Sequence, residues 1–270
     1  MNDDAMRARQ SRPSVARVYD YILGGRDNYG VDKSLADYFI EFLPGSEQVA
    51  ITARAATLRA VRSMCAKGIR QFIDLGCGLP TSENVHEVVR REYPEAPVVY
   101  VDNDPFVLAH GRALLSIDDR VAVIGGDVRD VGEVANHEDV RRLINFDEPV
   151  GLLFGIVLAL FEDEEEPGAV VRGWADRVPA GSQIYISHFR SGHNRETTST
   201  ERKMLDAFGR GRWRDDAEIQ ALFGDLELLE PGLLPCAQWW PQSGSEAGSQ
   251  GRDLSNWEEL VVAGLGRKTA

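Results

Sequence analysis

Cysteine is scarce in this chain of 270 residues, which has three: Cys65, Cys77 and Cys236. A small, odd number without a Cys-x-x-Cys pair is typical of a reduced protein and not of one held together by disulfides. The first residues are polar and charged, and they show no signal-peptide pattern. The sequence therefore predicts a cytoplasmic location.

Basic charge is also low, because 30 Lys and Arg residues stand against 43 Asp and Glu residues, giving a net charge of −13. Binding to phosphate backbones needs a basic face, so this balance disfavours a nucleic-acid partner. A local basic patch remains open at Arg210, Arg212 and Arg214.

Long apolar runs are missing as well. The longest covers residues 150–161, is interrupted by glycine and is too short to span a bilayer. We interpret it as a buried central strand with the turn that follows. Since 43% of the residues are hydrophobic, a full core is possible, and we expect no membrane partner. The oligomeric state cannot be read from the sequence.

Strand and helix patterns alternate from residue 69 onward, which implies a parallel sheet with helices on both faces. The predicted strands cover residues 69–75, 98–101, 121–124, 150–154 and 183–187. The predicted helices between them cover residues 82–93, 105–115, 138–145 and 164–178. Two late strands, 226–229 and 260–265, have no helix between them and predict a hairpin at one sheet edge.

The predicted organisation is a single domain with an N-terminal extension. Residues 1–67 form a helical extension, with predicted helices at 14–23, 32–43 and 47–67. Residues 68–270 form the core. Two insertions, at 191–223 and 232–257, are expected on the substrate side.

A glycine turn follows the first core strand. The apolar run ends in Asp74, turns through Gly76 and Gly78, and enters a predicted helix. The second strand ends in Asp102, roughly 20 residues after the turn, as in mononucleotide-binding folds. The glycines allow the backbone to approach a ligand closely. This spacing predicts an adenosine pocket at the carboxyl edge of the sheet.

The chemistry of this turn favours S-adenosylmethionine over a dinucleotide. Dinucleotide sites carry a third glycine, where this chain has Thr81, so NAD or FAD is disfavoured. Asp74 can bind a cation near the turn. The helix start near Thr81 and Ser82 suits a carboxylate, because its backbone N–H groups are free. Asp102 can accept hydrogen bonds from both ribose hydroxyls. The alternative is a tight strand-to-helix turn without a ligand.

Several segments together resemble class I S-adenosylmethionine-dependent methyltransferases, and more narrowly an actinobacterial S-adenosyl methyltransferase family of unassigned substrate. The matching segments are residues 16–29, 72–81, 84–88, 99–105 and 264–268. The resemblance implies an α/β fold with a Rossmann-like, doubly wound, seven-stranded sheet. That sheet would be mostly parallel with an antiparallel last strand, and an N-terminal helical lid would cover the cofactor.

The resemblance and the turn together give a set of cofactor-binding residues. These are Asp74, Gly76, Cys77, Gly78, Thr81, Asp102, Asn103, Asp127, Val128, Tyr21 and Asn28. By resemblance, Asp127 should reach the adenine amino group and Val128 should donate its backbone N–H. The alternative for Asp127 is a turn acid that caps a loop.

Two positions depart from the family pattern. The family's Asn-Arg pair reads Ala53-Arg54 here, and Ala159 lies in the segment where the family carries a histidine after the fourth strand. Both changes would remove polar groups from the substrate side. A protein that binds the cofactor or its product but performs another reaction, or none, therefore stays open.

Catalytic residues are not defined by the sequence, and His188 and His86 are weak candidates for a general base. The alternative for each is a hydrogen-bonded structural histidine, and His193 is interpreted as part of a loop. The acidic run at residues 162–166 suits a helix N-terminus, so we expect no metal site.

The predicted function is methyl transfer from S-adenosylmethionine to a small, neutral or cationic acceptor in specialised metabolism. The transfer is a direct displacement at the sulfonium methyl, and a base is needed only if the acceptor must lose a proton. The acceptor is expected between the N-terminal helices, His188 and the region after Pro231, with Trp239 and Trp240 forming one wall.

Overall fold

Three helices precede the sheet in the computed structural model, which describes residues 11–116, 118–191, 195–240 and 253–270. They are α1 (Val15–Ile22), α2 (Gly30–Phe42) and α3 (Glu47–Ala66). The later helices are α4 (Val85–Glu92), α5 (Pro105–Leu114), α6 (Val131–Ala135), α7 (Glu138–Leu143), α8 (Pro167–Arg177), α9 (Arg195–Phe208) and α10 (Asp216–Ala221). None of the helices in the described residues is long and apolar enough to cross a membrane.

One mixed sheet contains all the strands found in these ranges. They are β1 (Phe72–Leu75), β2 (Val98–Asp102), β3 (Val121–Gly125), β4 (Gly151–Gly155), β5 (Gln183–Phe189), β6 (Glu227–Leu228), β7 (Leu234–Pro235) and β8 (Val261–Arg267). Their order is β3-β2-β1-β4-β5-β8-β6, with β7 also paired to β8.

The strand directions confirm the expected fold class. Strands β1 to β5 run parallel, whereas β8 pairs antiparallel with β5, β6 and β7. The expected pairing of the two late segments is also confirmed, since β6 and β8 lie side by side at one end of the sheet. The sheet has eight strands and not seven, because the two-residue strand β7 pairs with Val262 and Ala263.

Alternating side chains of the central strands enter two separate cores. Phe72 packs on the face covered by α3 and α4, while its neighbour Ile73 packs on the face that holds Trp174 of α8. Consecutive strand residues point to opposite faces, so both faces of a buried parallel strand need apolar residues. The run of buried residues in β1 therefore specifies a central strand of a doubly wound sheet.

The first two helices are joined by a buried ion pair. Arg17 Nε donates to Asp32 Oδ2 at 2.8 Å, and both side chains are almost fully buried. Asp32 also accepts from the backbone N–H groups of Ser14 and Tyr29 at 3.0 and 2.8 Å. Helix α3, in contrast, packs on the sheet through residues such as Met64, so it is part of the core.

Helix boundaries differ from the predicted ones where the backbone is capped or broken. Helix α4 begins at Val85 because Asn84 and Glu87 form a capping box ahead of it. Helix α8 begins at Pro167 because Glu166 adopts a left-handed conformation with φ of 48°. The short helix α6 has no predicted counterpart.

Candidate functional site

A cavity of about 320 Å³ lies at the carboxyl ends of β1, β2, β3 and β4. Helices α1 and α3 form its opposite wall, through residues that include Tyr19 and Arg54. Ligands of open α/β sheets bind at this edge, where the loops after the strands converge. The cavity is therefore the candidate functional site.

The turn after β1 requires its two glycines. Gly76 and Gly78 have φ angles of 73° and 65°, a region that residues with a side chain rarely adopt. A Cβ on Gly76 would lie 2.4 Å from Cγ2 of Val157, so it has no room. A Cβ on Gly78 would meet nothing within 4 Å. The turn thus brings bare backbone to the edge of the cavity.

The carboxylate of Asp102 is held in place at the end of β2. Its Oδ2 accepts from the backbone N–H of Gly78 at 3.0 Å, and its Oδ1 accepts from that of Asp104 at 2.9 Å. Burial raises the pKa of Asp102, and these two donors oppose the shift. Each oxygen keeps a further lone pair with which it can accept from a ligand.

Asp74 at the end of β1 lines the cavity and is 4% exposed. Among the residues that the structure describes, none donates a hydrogen bond to its carboxylate. Burial raises the pKa of Asp74 to about 6; Arg54 opposes this shift and Asp102 adds to it. A buried carboxylate without a donor is unfavourable, so this position is suited to a ligand that brings a positive charge.

Arg54 of α3 supplies the opposite charge. Its Nη2 donates to the backbone carbonyl of Glu83 at 2.7 Å, while its Nε is buried without a hydrogen-bond partner in the described structure. Arg54 is not among the cofactor residues predicted from the sequence. A signal existed, because Ala50 and Thr57, which flank Arg54 at helical spacing, lie on the buried face of α3.

The rim beyond β3 is a network of ion pairs. Arg129 Nε donates to Asp127 Oδ1 at 2.8 Å, and Arg129 also contacts Glu165. Arg210 Nη2 donates to the same Glu165 at 2.8 Å. Arg129 lowers the pKa of Asp127. Asp127 would have to share its carboxylate between Arg129 and any ligand.

Most of the predicted cofactor residues come together around this cavity. Those that line it are Asp74, Gly76, Cys77, Gly78, Thr81, Asp102, Asn103, Asp127 and Val128. Tyr21 and Asn28 do not. The Tyr21 hydroxyl donates to Asp37 at 3.0 Å on the surface, and Asn28 Nδ2 donates to Asp20 Oδ2 at 2.7 Å behind the cavity wall.

The start of α4 is less open to a carboxylate than expected. The backbone N–H of Thr81 donates to Asn84 Oδ1 at 3.0 Å, and the Thr81 hydroxyl donates to the carbonyl of Glu83 at 2.9 Å. The Asn84 side chain therefore occupies the Thr81 amide, which we expected to bind the ligand.

The two histidine candidates lie outside the cavity lining. His86 is buried beside Tyr100, with Nδ1 2.9 Å from its hydroxyl, and burial lowers its pKa. His188 is fully buried. Its Nδ1 lies 2.7 Å from the Phe189 carbonyl, and its Nε2 lies 3.1 Å from Nη1 of Arg214. Burial lowers the pKa of His188 to about 4. His193 is outside the described residues.

Four other expected substrate-side residues lie outside the cavity lining. Ala53 and Ala159 are packed in the core and do not line the cavity. Trp239 is fully buried, with its ring 5.6 Å from that of Tyr185, and Trp240 stacks under Arg59. Neither tryptophan therefore forms the expected wall among the described residues that line the cavity. Residues 241–252 of the following loop are outside the described structure.

The comparisons with known proteins agree with this geometry. A family model described as S-adenosyl methyltransferase matches residues 2–269. A crystal structure from Thermobifida fusca YX, provisionally described as a methyltransferase, is 41% identical, with 96% of each chain covered and a TM-score of 0.89. A DUF574 family protein from Streptomyces avermitilis MA-4680 is 30% identical, with 96% of this chain and 98% of that chain covered and a TM-score of 0.88.

More distant structures share the fold alone. One is a plantazolicin methyltransferase crystallised with a desmethylplantazolicin analogue and S-adenosylhomocysteine. It is 11% identical, with 94% of this chain and 96% of that chain covered and a TM-score of 0.53. The comparison with curated proteins gives no match.

Proposed function

The chain belongs to the S-adenosyl methyltransferase family, and from that premise we propose that it methylates a small, neutral or cationic acceptor molecule. Its cofactor is S-adenosylmethionine, as membership of this family implies. The observation that carries our assignment of the site is the pair of opposite, incompletely satisfied charges at Asp74 and Arg54, which face one cavity.

The residues present fit the amino-acid end of this cofactor. That end carries an ammonium and a carboxylate. The Asp74 carboxylate would accept from the ammonium, and the Arg54 guanidinium would bind the carboxylate through charge-assisted hydrogen bonds. The Asp74 side chain is buried and the Arg54 Nε is buried without a partner among the described residues, so the ligand would satisfy polar groups that are costly to leave unpaired.

The nucleoside end would lie along the loops after β2 and β3. Asp102 would accept from the ribose hydroxyls, because both of its oxygens are already oriented by backbone donors. Asn103, Asp127 and Val128 line the next part of the cavity and would surround the adenine. The absence of a Cβ on Gly78 leaves room for the ligand beside the turn.

When bound, S-adenosylmethionine supplies an electrophilic methyl group on a sulfonium. The chain's own contribution is to fix both partners and exclude water, which accounts for much of the rate gain in such displacements. The alternative of a cofactor-binding protein without this reaction rested on Ala53 and Ala159. Both lie outside the cavity lining, whereas Asp74 and Arg54, the charged groups that we assign to the cofactor, line it.

The cellular setting is part of the same proposal. Its cytoplasmic location is supported by the three cysteines, all of which are free. A role in specialised metabolism is proposed together with the small acceptor. Incubating the protein and cofactor with a metabolite extract, followed by mass spectrometry for products heavier by one methylene, tests both the reaction and the acceptor class.

Titration calorimetry tests the site directly. We expect wild-type protein to bind S-adenosylhomocysteine and 5′-methylthioadenosine, which lacks the amino-acid end, and not to bind NAD. Arg54→Gln should weaken S-adenosylhomocysteine binding about 10- to 100-fold, the scale of a charged hydrogen bond, and leave methylthioadenosine unchanged. Arg62→Gln is the matched control, since Arg62 lies on the same helix and is half exposed.

Two results would contradict the proposal. Absence of S-adenosylhomocysteine binding by the folded wild-type protein would remove the cofactor site. Equal losses of both ligands in Arg54→Gln would show that Arg54 supports the cavity without recognising the amino-acid end.

A further inference from the structure

A second, smaller cavity of about 80 Å³ adjoins the cofactor cavity. It lies between α1, α2, α3 and α9, close to the end of β5, and its lining is almost entirely apolar. Val15, Tyr19 and Ile156 line both cavities, so the two meet along these three residues. We name this second cavity the apolar pocket.

Ser46 places an unsatisfied hydroxyl in the wall of the apolar pocket. Ser46 is 8% exposed, and its Oγ has no hydrogen-bond partner in the described structure. A serine at the start of a helix ordinarily caps it, but the Ser46 side chain makes no capping bond to α3. A buried hydroxyl without a partner is costly, so this one is suited to a ligand's polar group.

Ile156 marks the junction of the two cavities with a strained backbone. Its φ is 65° and its ψ is −21°, a left-handed conformation that is unusual for a β-branched residue. The Ile156 N–H is fixed by Ser187, through the backbone carbonyl and the hydroxyl, both at 3.1 Å. Strain of this kind is retained where the surrounding structure imposes it, commonly at functional sites.

We propose that the apolar pocket receives the body of the methyl acceptor, an uncharged, largely apolar small molecule with a hydrogen-bonding group that reaches Ser46. This inference rests on the proposed function. The acceptor's reacting atom would lie at the junction beside Tyr19 and Ile156, which line both the apolar pocket and the cofactor cavity.

The lining favours an uncharged acceptor over the cationic one that the proposed function also allows. Tyr19 is the one titratable side chain among the described residues that line the apolar pocket. Burial raises its pKa, so it stays neutral, and its hydroxyl donates to the carbonyl of Ala50 at 2.8 Å. A charged ligand would lose its hydration here without gaining an opposite charge.

Fluorine NMR with small aromatic probes tests the proposal. We expect wild-type protein to bind 4-fluorophenol saturably, and to bind 4-fluorobenzoate and 4-fluorobenzylammonium at least tenfold more weakly. Val49→Phe should fill the pocket from a half-buried position and weaken 4-fluorophenol binding at least tenfold. Ser46→Ala should weaken it about fivefold, the scale of one hydrogen bond.

Ile51→Phe is the matched control, because Ile51 lies on the same helix, is 42% exposed and does not line the pocket. This variant should bind 4-fluorophenol like the wild type. Titration with S-adenosylhomocysteine separates the two proposals: its binding should persist in Val49→Phe, which also shows that the variant is folded. Absence of saturable 4-fluorophenol binding, equal binding by Val49→Phe, or preference for a charged probe would overturn the inference even if S-adenosylhomocysteine binds.

Discussion

The backbone N–H of Gly78 donates a 3.0 Å hydrogen bond to Oδ2 of Asp102, joining the turn after β1 to the end of β2. The two residues are 24 positions apart, yet each fixes the other: the carboxylate orients the turn, and the turn supplies a donor that opposes the effect of burial on the Asp102 pKa. This contact shapes the part of the cavity that we assign to the ribose.

The first prediction concerns Asp102. Asp102→Ala should weaken S-adenosylhomocysteine binding by roughly 1.5–3 kcal/mol, the scale for hydrogen bonds to a charged group. Asp102→Asn keeps one oxygen acceptor and should lose less. Calorimetry gives the affinities, and circular dichroism confirms that each variant is folded. Wild-type affinity in folded Asp102→Ala would disprove the ribose assignment.

The second prediction concerns the charge on Asp74. Its pKa is about 6 in the protein without cofactor, and an ammonium prefers the ionised carboxylate. Affinity for S-adenosylhomocysteine should therefore fall as pH drops below about 6, by up to about tenfold per pH unit. Calorimetry from about pH 5 to about pH 8, a range that brackets this pKa, measures the change in affinity.

Asp74→Asn should bind weakly and lose this pH dependence, while Asp102→Asn, the control for the neighbouring carboxyl, should keep it. A profile that survives in Asp74→Asn would assign the titration to another group. Stability has the opposite trend. Folding raises the Asp74 pKa from 3.8 to about 6. The contribution of Asp74 to the free energy of unfolding is therefore largest below pH 3.8 and is lost as the pH rises through about 6.

The third prediction concerns nucleic acid. Arg210, Arg212 and Arg214 could have formed a basic patch, but Arg210 pairs with Glu165 at 2.8 Å, and Asp163 lies within 2.9 Å of the other two. The patch is thus neutralised within the protein. We expect no tight, salt-sensitive shift of RNA or DNA in a gel assay. Such a shift would show a basic surface that the net charge of −13 conceals.

Much of the fold could be predicted because it depends on local patterns. Buried runs such as residues 150–154 identify central strands, and Gly76 and Gly78 have backbone angles that side chains disfavour. The two-residue strand β7 could not be predicted, since its pairing with Val262 and Ala263 depends on tertiary position and not on its own sequence.

The site was less predictable, because it depends on which side chains converge from distant segments. Asp74 and Asp102 could be predicted because each lies at the end of a predicted strand. Arg54 is harder to predict, because it reaches the cavity from a helix that precedes the sheet. Thr81 illustrates local competition, since its N–H donates to the side chain of Asn84, the residue that precedes α4. Trp239 is buried in the core, where its ring packs against Tyr185, and it does not line the site.

The last prediction concerns residues 19–32, which we expect to cover the cofactor and to be less mobile when it is bound. Tyr19 and Asp20 of this segment line the cavity from α1. Helix α1 has eight residues, too few to be stable alone, so its position depends on contacts such as the buried pair of Arg17 with Asp32.

A bound ligand adds contacts to the inner face of α1 and should raise the free energy of local opening. Hydrogen exchange measures this directly. The amides of residues 19–32 should exchange more slowly with S-adenosylhomocysteine present, whereas those of α10, which does not line the cavity, should be unchanged. Equal protection of residues 19–32 in both states would show that the segment is a fixed part of the fold, because a cover that closes over a ligand must open less often when that ligand is bound.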